Sequence, residues 1–257
     1  MKKYYKIAKK DLFNLCRSLT GQGVRKTLSI IKKEFKNLKI KKIRSGTKVY
    51  DWKIPPEWNV KDAFVLDKNK DKIIDFKKNN LHLVSYSERV NKIVHFRDLK
   101  KKLHFIKNKP DLIPYVTSYY KKDWGFCLSY NAYKKINKNS NYKVIINSKF
   151  KKGFLRYGEI FIQGKSNKEF VFTSYLCHPS MVNNELAGPT LLLALSKIIG
   201  SKSNNYSYRI LIIPETIGSI SYLSKNYDKL KNKINYGFVV TCIGDSSNFS
   251  FIRSKYE

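Results

Sequence analysis

The residues of this 257-residue chain best suited to chemistry gather around His178, in Cys177-His178-Pro179-Ser180. The run before it, residues 170–176, is β-branched and aromatic and short enough to be a buried strand. Asn183-Asn184-Glu185 follows, and Gly188-Pro189 then opens a leucine-rich stretch that reads as a helix with proline in its first turn. Two later apolar runs end in the same manner, 208–213 on Pro214-Glu215 and 236–242 on Gly244-Asp245. An imidazole and carboxylates at rigid strand ends are what a zinc hydrolase uses, because the metal lowers the pKa of bound water and a nearby carboxylate takes its proton. In that reading His178 and Asp245 hold the metal, with Asn184 beside them, and Glu215 is the catalytic base. Each residue also has a plainer reading. His178 can cap a strand, Asn184 and Glu185 can complement a helix N-terminus, Glu215 can cap the following helix, and Asp245 can form a turn after Gly244.

The elements that must place these groups alternate. Strands are expected at 157–163, 169–176, 208–213 and 236–242, and helices at 189–199 and 219–226. Parallel βαβ packing with right-handed crossovers would bring Leu176, Ile213 and Cys242 to one edge of one sheet, where ligands of open α/β folds collect. Upstream, helices are expected at 9–16 and 23–35, the second with Val24, Leu28, Ile31 and Phe35 on one stripe. Strands at 38–43 and 48–52 flank the turn Ser45-Gly46-Thr47. The prolines of Pro55-Pro56-Glu57-Trp58 mark a boundary. From there to Phe154 the segments are short and strand-like, at 63–66, 73–76, 81–85, 115–119, 125–128 and 142–146, with one helical stretch at 98–106. His82, His95 and His104 lie in this insert at spacings that match no metal motif, so packing is their expected role. Tyr119, Tyr120, Trp124 and Phe126 read as core or interface wall, and Cys127 has no local base that would make it a nucleophile.

Composition narrows the function classes. The net charge of +33 invites a nucleic-acid role, yet only eight of the 52 basic residues are arginine and the lysines are spread along the chain. Arginine is the side chain that reads phosphate and guanine bidentately, so a scattered lysine excess describes a solvated surface and no specific nucleic-acid partner. Four cysteines without C-x-x-C spacing make neither a zinc knuckle nor a disulfide framework. No apolar run approaches the roughly 20 residues of a membrane span, and the lysine-rich start never builds a signal-peptide core. A cytoplasmic protein, compatible with a homo-oligomer, is the expectation.

The stretches Ser45-Gly46-Thr47-Lys48-Val49-Tyr50-Asp51-Trp52, Pro56-Glu57-Trp58, Leu81-His82-Leu83-Val84-Ser85-Tyr86-Ser87, Ile113-Pro114-Tyr115, Trp124-Gly125-Phe126-Cys127, Cys177-His178-Pro179-Ser180 and Pro214-Glu215-Thr216-Ile217-Gly218-Ser219 resemble a bacterial aminopeptidase-like family of the zinc-dependent exopeptidase superfamily. That family is often associated with polysaccharide biosynthesis, and the resemblance covers nearly the whole chain. It implies an α/β fold with a zinc-exopeptidase-like mixed sheet and flanking helices, interrupted by a small β-rich inserted domain. The expected division is residues 1–58 and 155–257 for the peptidase-like part and 59–154 for the insert. It also implies one or two zinc ions and a peptide or amine-bearing substrate. His178 would be the first metal ligand, position 184 a metal-holding aspartate, Glu215 a water-activating or ligating carboxylate, and Asp245 a further ligand. Position 184 departs from the pattern: Asn183-Asn184-Glu185-Leu186-Ala187-Gly188 stands where the family has Asn-Asp-Glu-Leu-Ser-Gly. The family also continues through further strands and a later ligand segment, so the resemblance implies that this chain is truncated at its C-terminus. Two functions follow, a metal-dependent aminopeptidase-like hydrolase or a catalytically inactive peptidase-fold accessory or binding protein of surface-polysaccharide biosynthesis.

Overall fold

The computed structural model describes residues 2–246, 248 and 250–254. The chain opens with helix α1 (Lys2–Ile7), which runs into a π-helical turn at Ala8–Leu12, and continues in α2 (Gln22–Glu34). The stripe expected on α2 is its buried face: Val24, Leu28 and Ile31 are almost fully enclosed, and Phe35 follows them into the core. Strand β1 (Lys39–Arg44) leads to β2 (Lys48–Val49) and β3 (Trp52–Lys53). These last two form a tight hairpin in place of the single strand expected at 48–52, because Tyr50 takes a left-handed φ of 55° and reverses the chain.

The next strands are β4 (Glu57–Leu66), β5 (Lys72–Asp75) and β6 (Val90–His95). After them come α3 (Phe96–Lys100), β7 (Leu103–His104), β8 (Phe126–Cys127), α4 (Tyr130–Lys134) and β9 (Asn141–Lys151). Strands β5, β4, β9 and β6 form one antiparallel sheet in that order. The helix expected at 98–106 lasts only through α3, and the rest of that stretch becomes β7. Residues 81–85 and 115–119 do not form ladder strands. Asn80–His82 is a 3-10 turn, and the two stretches share a Ser85–Thr117 bridge, with Ser118 Oγ donating to the Ser85 carbonyl at 3.2 Å. Strand β6 has little hydrophobic signature of its own, since four of its six residues are exposed.

The chain then returns through β10 (Phe154–Ile162), β11 (Glu169–Tyr175), α5 (Ala187–Gly200), β12 (Ser207–Ile213), α6 (Ile217–Leu230) and β13 (Ile234–Val239). With β1 these strands make a five-stranded mixed sheet, ordered β1-β10-β12-β11-β13. Strands β12, β11 and β13 are parallel, whereas β10 runs antiparallel to β1 and β12. The sheet is mixed as expected, and β10 is antiparallel because the link at 163–168 is too short for a crossover, which takes a dozen or more residues. Helix α5 lies hard against the sheet: a Cβ on Gly188 would stand 2.1 Å from Ser174 Oγ and 2.4 Å from the Val240 carbonyl. Among the described residues no helix is long and apolar enough to cross a membrane.

One carboxylate sits where the chain passes between the two sheets. Glu57, at the start of β4 and 1% exposed, accepts hydrogen bonds from Arg156 Nη1 at 2.6 Å and from the Phe154 amide at 3.2 Å, and Arg25 Nη2 lies 3.3 Å from its other oxygen. A Cβ on Gly153 would stand 2.4 Å from the Glu57 side chain, so the turn between β9 and β10 keeps glycine there. Burial alone would raise the Glu57 pKa, but the Arg156 and Phe154 hydrogen bonds and the arginine charges hold it below the ordinary carboxylate value. Its folded pKa therefore lies below its unfolded one. The stabilisation is present at neutral pH and fades as the medium is acidified through the carboxylate range. We predict that Glu57→Gln costs about 2–4 kcal/mol at pH 7 and that the gap to the wild type narrows below pH 4, measured by urea denaturation across pH. A gap that is constant in pH would refute the assignment.

Candidate metal centre

The three parallel strands release their chains at one sheet edge, and each following loop contains a non-glycine residue at positive φ. These are Ser180 (48°) after β11, Thr216 (55°) after β12 and Cys242 (51°) after β13. For a β-branched residue such as Thr216 this is a costly conformation, of a kind that concentrates at functional sites. The first two loops are tied together, since the Glu215 amide donates to Cys177 Sγ at 3.2 Å. The third packs on the turn at 183–187: Thr241 Oγ1 donates to the Asn184 carbonyl at 3.2 Å, and Asn183 Nδ2 donates to Asp245 Oδ2.

At the centre is His178, 5% exposed. Its Nε2 lies 3.0 Å from Glu215 Oε2, and its Nδ1 lies 2.8 Å from Asn184 Oδ1 and 3.2 Å from Glu185 Oε2. His178, Asn184 and Glu215 are thus brought together. Asp245 stands beside them through Asn183, on an exposed loop. Glu185 is the participant that sequence reasoning placed only as a helix-terminal residue. It is fully buried, accepts the His178 amide at 2.9 Å, and lies with Cys177 and His178 in a cluster whose ligand atoms are all within 4.8 Å of one another. Its charge partner is also buried. Arg17 Nε is 3.7 Å from Glu185 Oε1 and donates to the His178 carbonyl at 2.9 Å. An apolar fringe such as Cys16-Arg17-Ser18-Leu19 gives no sign that its arginine is internal, and the partner lies 168 positions away.

Burial disfavours the imidazolium of His178, yet hydrogen bonding and charge from Cys177 and Glu185 outweigh it and raise the pKa to about 11 with no ion bound. The Cys177 thiol is pushed up, first by burial and then by the Glu185 charge, and Cys127 is pushed up to about 12 by burial. Neither is an activated nucleophile. The other histidines do structural work. His82 Nδ1 pairs with the Cys127 carbonyl at 2.7 Å, His95 caps α3 by accepting the Arg97 amide at 3.2 Å, and burial lowers the pKa of His104.

The donor set can be tested against zinc. Two donors about 2.0–2.1 Å from a tetrahedral ion stand about 3.3 Å apart, close to the His178 Nε2–Glu215 Oε2 separation. The other ring nitrogen meets oxygen partners, as metal-bound histidines require. Glu185 Oε2 is buried without a hydrogen-bond partner of good geometry. The chemistry of these donors is that of a zinc site. A pair of ions needs a bridging carboxylate, and position 184 offers a neutral amide oxygen.

A mixed sheet that gathers a buried histidine and carboxylates at the ends of its parallel strands defines an aminopeptidase-like protein of the zinc-exopeptidase fold. Within that class the chain belongs to the family described as a domain of unknown function, DUF4910, which it matches over residues 5–257. A Clostridium acetobutylicum protein, provisionally designated a polysaccharide biosynthesis protein with an aminopeptidase-like domain, is 48% identical over 246 residues, 96% of this chain and 56% of that protein. The chain thus spans little more than half the length of this relative. The crystal structure of a provisionally named peptidase from Clostridium acetobutylicum shares 47% identity at a TM-score of 0.91, over 95% of this chain and 57% of the other. BSAP, a zinc aminopeptidase from Bacillus subtilis, shares the fold at a TM-score of 0.64 with 10% identity, over 94% of this chain and 68% of its own.

The Arg17–Glu185 pair yields a prediction. Either Arg17→Met or Glu185→Gln strands a buried polar partner and costs about 3–5 kcal/mol, while the double variant loses clearly less than the sum because the two act as one unit. Urea denaturation of the four proteins measures this, and strict additivity would show that the pair is not coupled.

Proposed function

We propose that this chain is a metal-dependent aminopeptidase-like hydrolase that takes a single zinc ion between His178 and Glu215. The observation that carries the reading is the 3.0 Å approach of His178 Nε2 to Glu215 Oε2, with Nδ1 already facing oxygen partners on the opposite side. His178, Glu215 and Asp245 would hold the ion. Bound there, zinc would polarise an amide carbonyl and make water acidic enough to attack it near neutral pH. With the ion bound and His178 neutral, Asn184 would fix the tautomer by accepting from Nδ1–H, which leaves the Nε2 lone pair for the metal. Glu215, whose side chain is 40% exposed, is the carboxylate that reaches both His178 and solvent. Its second oxygen accepts the proton of the attacking water and returns it to the leaving amine.

Charge supports a cationic ligand. In a chain with 52 basic and 19 acidic residues, Glu185 and Glu215 both lie beside His178, and the buried Arg17 answers Glu185. The Glu215 carboxylate, 40% exposed, would offer an opposite charge to the ammonium of a free N-terminus. A peptide or other amine-bearing small molecule is the substrate class this favours.

Asn184 motivates a second reading, a peptidase-fold accessory or binding protein for surface-polysaccharide assembly, the process named for its 48% identical relative. The experiment separates the two. The hydrolase reading expects about one equivalent of zinc, an affinity loss beyond the 10–100-fold typical of outer-shell changes for His178→Ala and Glu215→Gln, and chelator-sensitive release of N-terminal residues from short peptides. Protein that binds zinc but becomes active only as Asn184→Asp supports the accessory reading. Protein that binds no zinc overturns the metal site.

A further inference from the structure

The residues 57–151 that form the second sheet also reach the metal centre. The Tyr115 ring lies against the imidazole of His178, with centroids 4.8 Å apart and planes inclined by 59°. It is the aromatic end of a continuous series. Trp58, beside the Glu57 clamp, stacks on Tyr86 at 5.7 Å, and Tyr86 meets Tyr119 edge-on at 5.1 Å. The Tyr119 hydroxyl hydrogen-bonds the Tyr115 hydroxyl. Tyr86 is itself pinned, its hydroxyl 2.6 Å from Thr20 Oγ1 and donating to the Pro56 carbonyl at 3.0 Å. A second tether runs parallel to this series: Asn80 Nδ2 donates to Ser180 Oγ at 3.1 Å and to the Asn14 carbonyl at 3.0 Å.

We infer that Tyr115 is a positioning residue for His178, and that the β-rich insert thereby sets how firmly the site holds its ion. The imidazole is constrained at its nitrogens by Asn184, Glu185 and Glu215 and at its backbone by Arg17, but those in-plane contacts do not stop the ring from rocking about its own plane. Tyr175 lies edge-on to the imidazole at 6.3 Å, and the nearer ring, tilted against it at 4.8 Å, is that of Tyr115. Its hydroxyl bond to Tyr119, and through Tyr119 the packing on Tyr86 and Trp58, holds it at that distance. Burial raises the pKa of both Tyr115 and Tyr119, so each stays a neutral phenol. Tyr115 touches no hydrogen-bonding atom of His178, so what it contributes is orientation by packing, and any substitute must offer a flat face of the same size.

This inference rests on the zinc reading of the site, and the test separates the two. Zinc affinity is measured by competition with a chromophoric chelator for the wild type, Tyr115→Phe, Tyr115→Leu and Tyr119→Phe, with thermal melting of the metal-free proteins recorded alongside. The expected result is about a tenfold loss of affinity for Tyr115→Leu, at the low end of what outer-shell partners carry. Tyr115→Phe and Tyr119→Phe, which both keep the Tyr115 ring and break the same hydroxyl bond, should each stay within about threefold of wild type. Melting temperatures of the metal-free proteins should fall for all three variants, because each loses the Tyr115–Tyr119 hydroxyl bond, whereas affinity should fall sharply only for Tyr115→Leu. Wild-type protein that holds no zinc defeats the metal reading and this inference with it. Wild-type protein that holds zinc, with Tyr115→Leu binding as tightly as Tyr115→Phe, defeats the inference alone, as does an affinity loss that merely follows the melting temperatures.

Discussion

A buried cation and a buried anion, Arg17 and Glu185, join the beginning of the chain to its chemistry. Neither charge would be tolerable alone in the interior, because the cost of stripping water from an ion exceeds what packing returns. Together they also satisfy the backbone of His178 from both sides, with Arg17 donating to its carbonyl and its amide donating to Glu185. The turn that carries Asn183 and Asn184 is therefore held from beneath, and the loops after β12 and β13 close onto a platform that is already rigid. Left-handed backbone at Ser180, Thr216 and Cys242 costs energy that this platform can absorb.

Much of the arrangement around His178 could be read from local pattern. Apolar runs that stop abruptly at polar, loop-forming residues made β11, β12 and β13 visible, and proline at the start of α5 did the same for its helix. The segment between β4 and β9 was harder. Residues 81–85 and 115–119 have strand-like composition and are at least half-buried, but they meet through isolated bridges and side chains instead of a ladder. Strand β6 went unseen for the opposite reason: as an edge of its sheet it buries little, and its pairing comes from the backbone of β9. Glu57 and Glu185 escaped notice because their partners lie about 100 and 168 positions away, and periodicity carries no information on contacts of that range.

The local electrostatics run against the composition. A chain of such strong positive charge attracts anions almost everywhere, yet its candidate centre is a pocket of carboxylates around one histidine. That contrast argues for the site more strongly than any single ligand does. Asn184 tempers it, because one amide in place of a carboxylate lowers the negative charge by one and removes a bridging group. What remains is one buried histidine with Glu185 and Glu215 beside it.

Glu57 and Lys151 face each other across the first rung of the β4–β9 ladder, so the second sheet begins and ends at nearly one point. An excursion of that kind leaves the five-stranded sheet topologically whole. Residues between those positions pair among themselves, but their apolar side chains share one core with those of the five-stranded sheet, so any exchange of this segment would have to refill that core. Tyr115 sets the limit on such exchange. A replacement that closed the same gap but brought no ring to His178 would fold with its host and still change the centre it leans on.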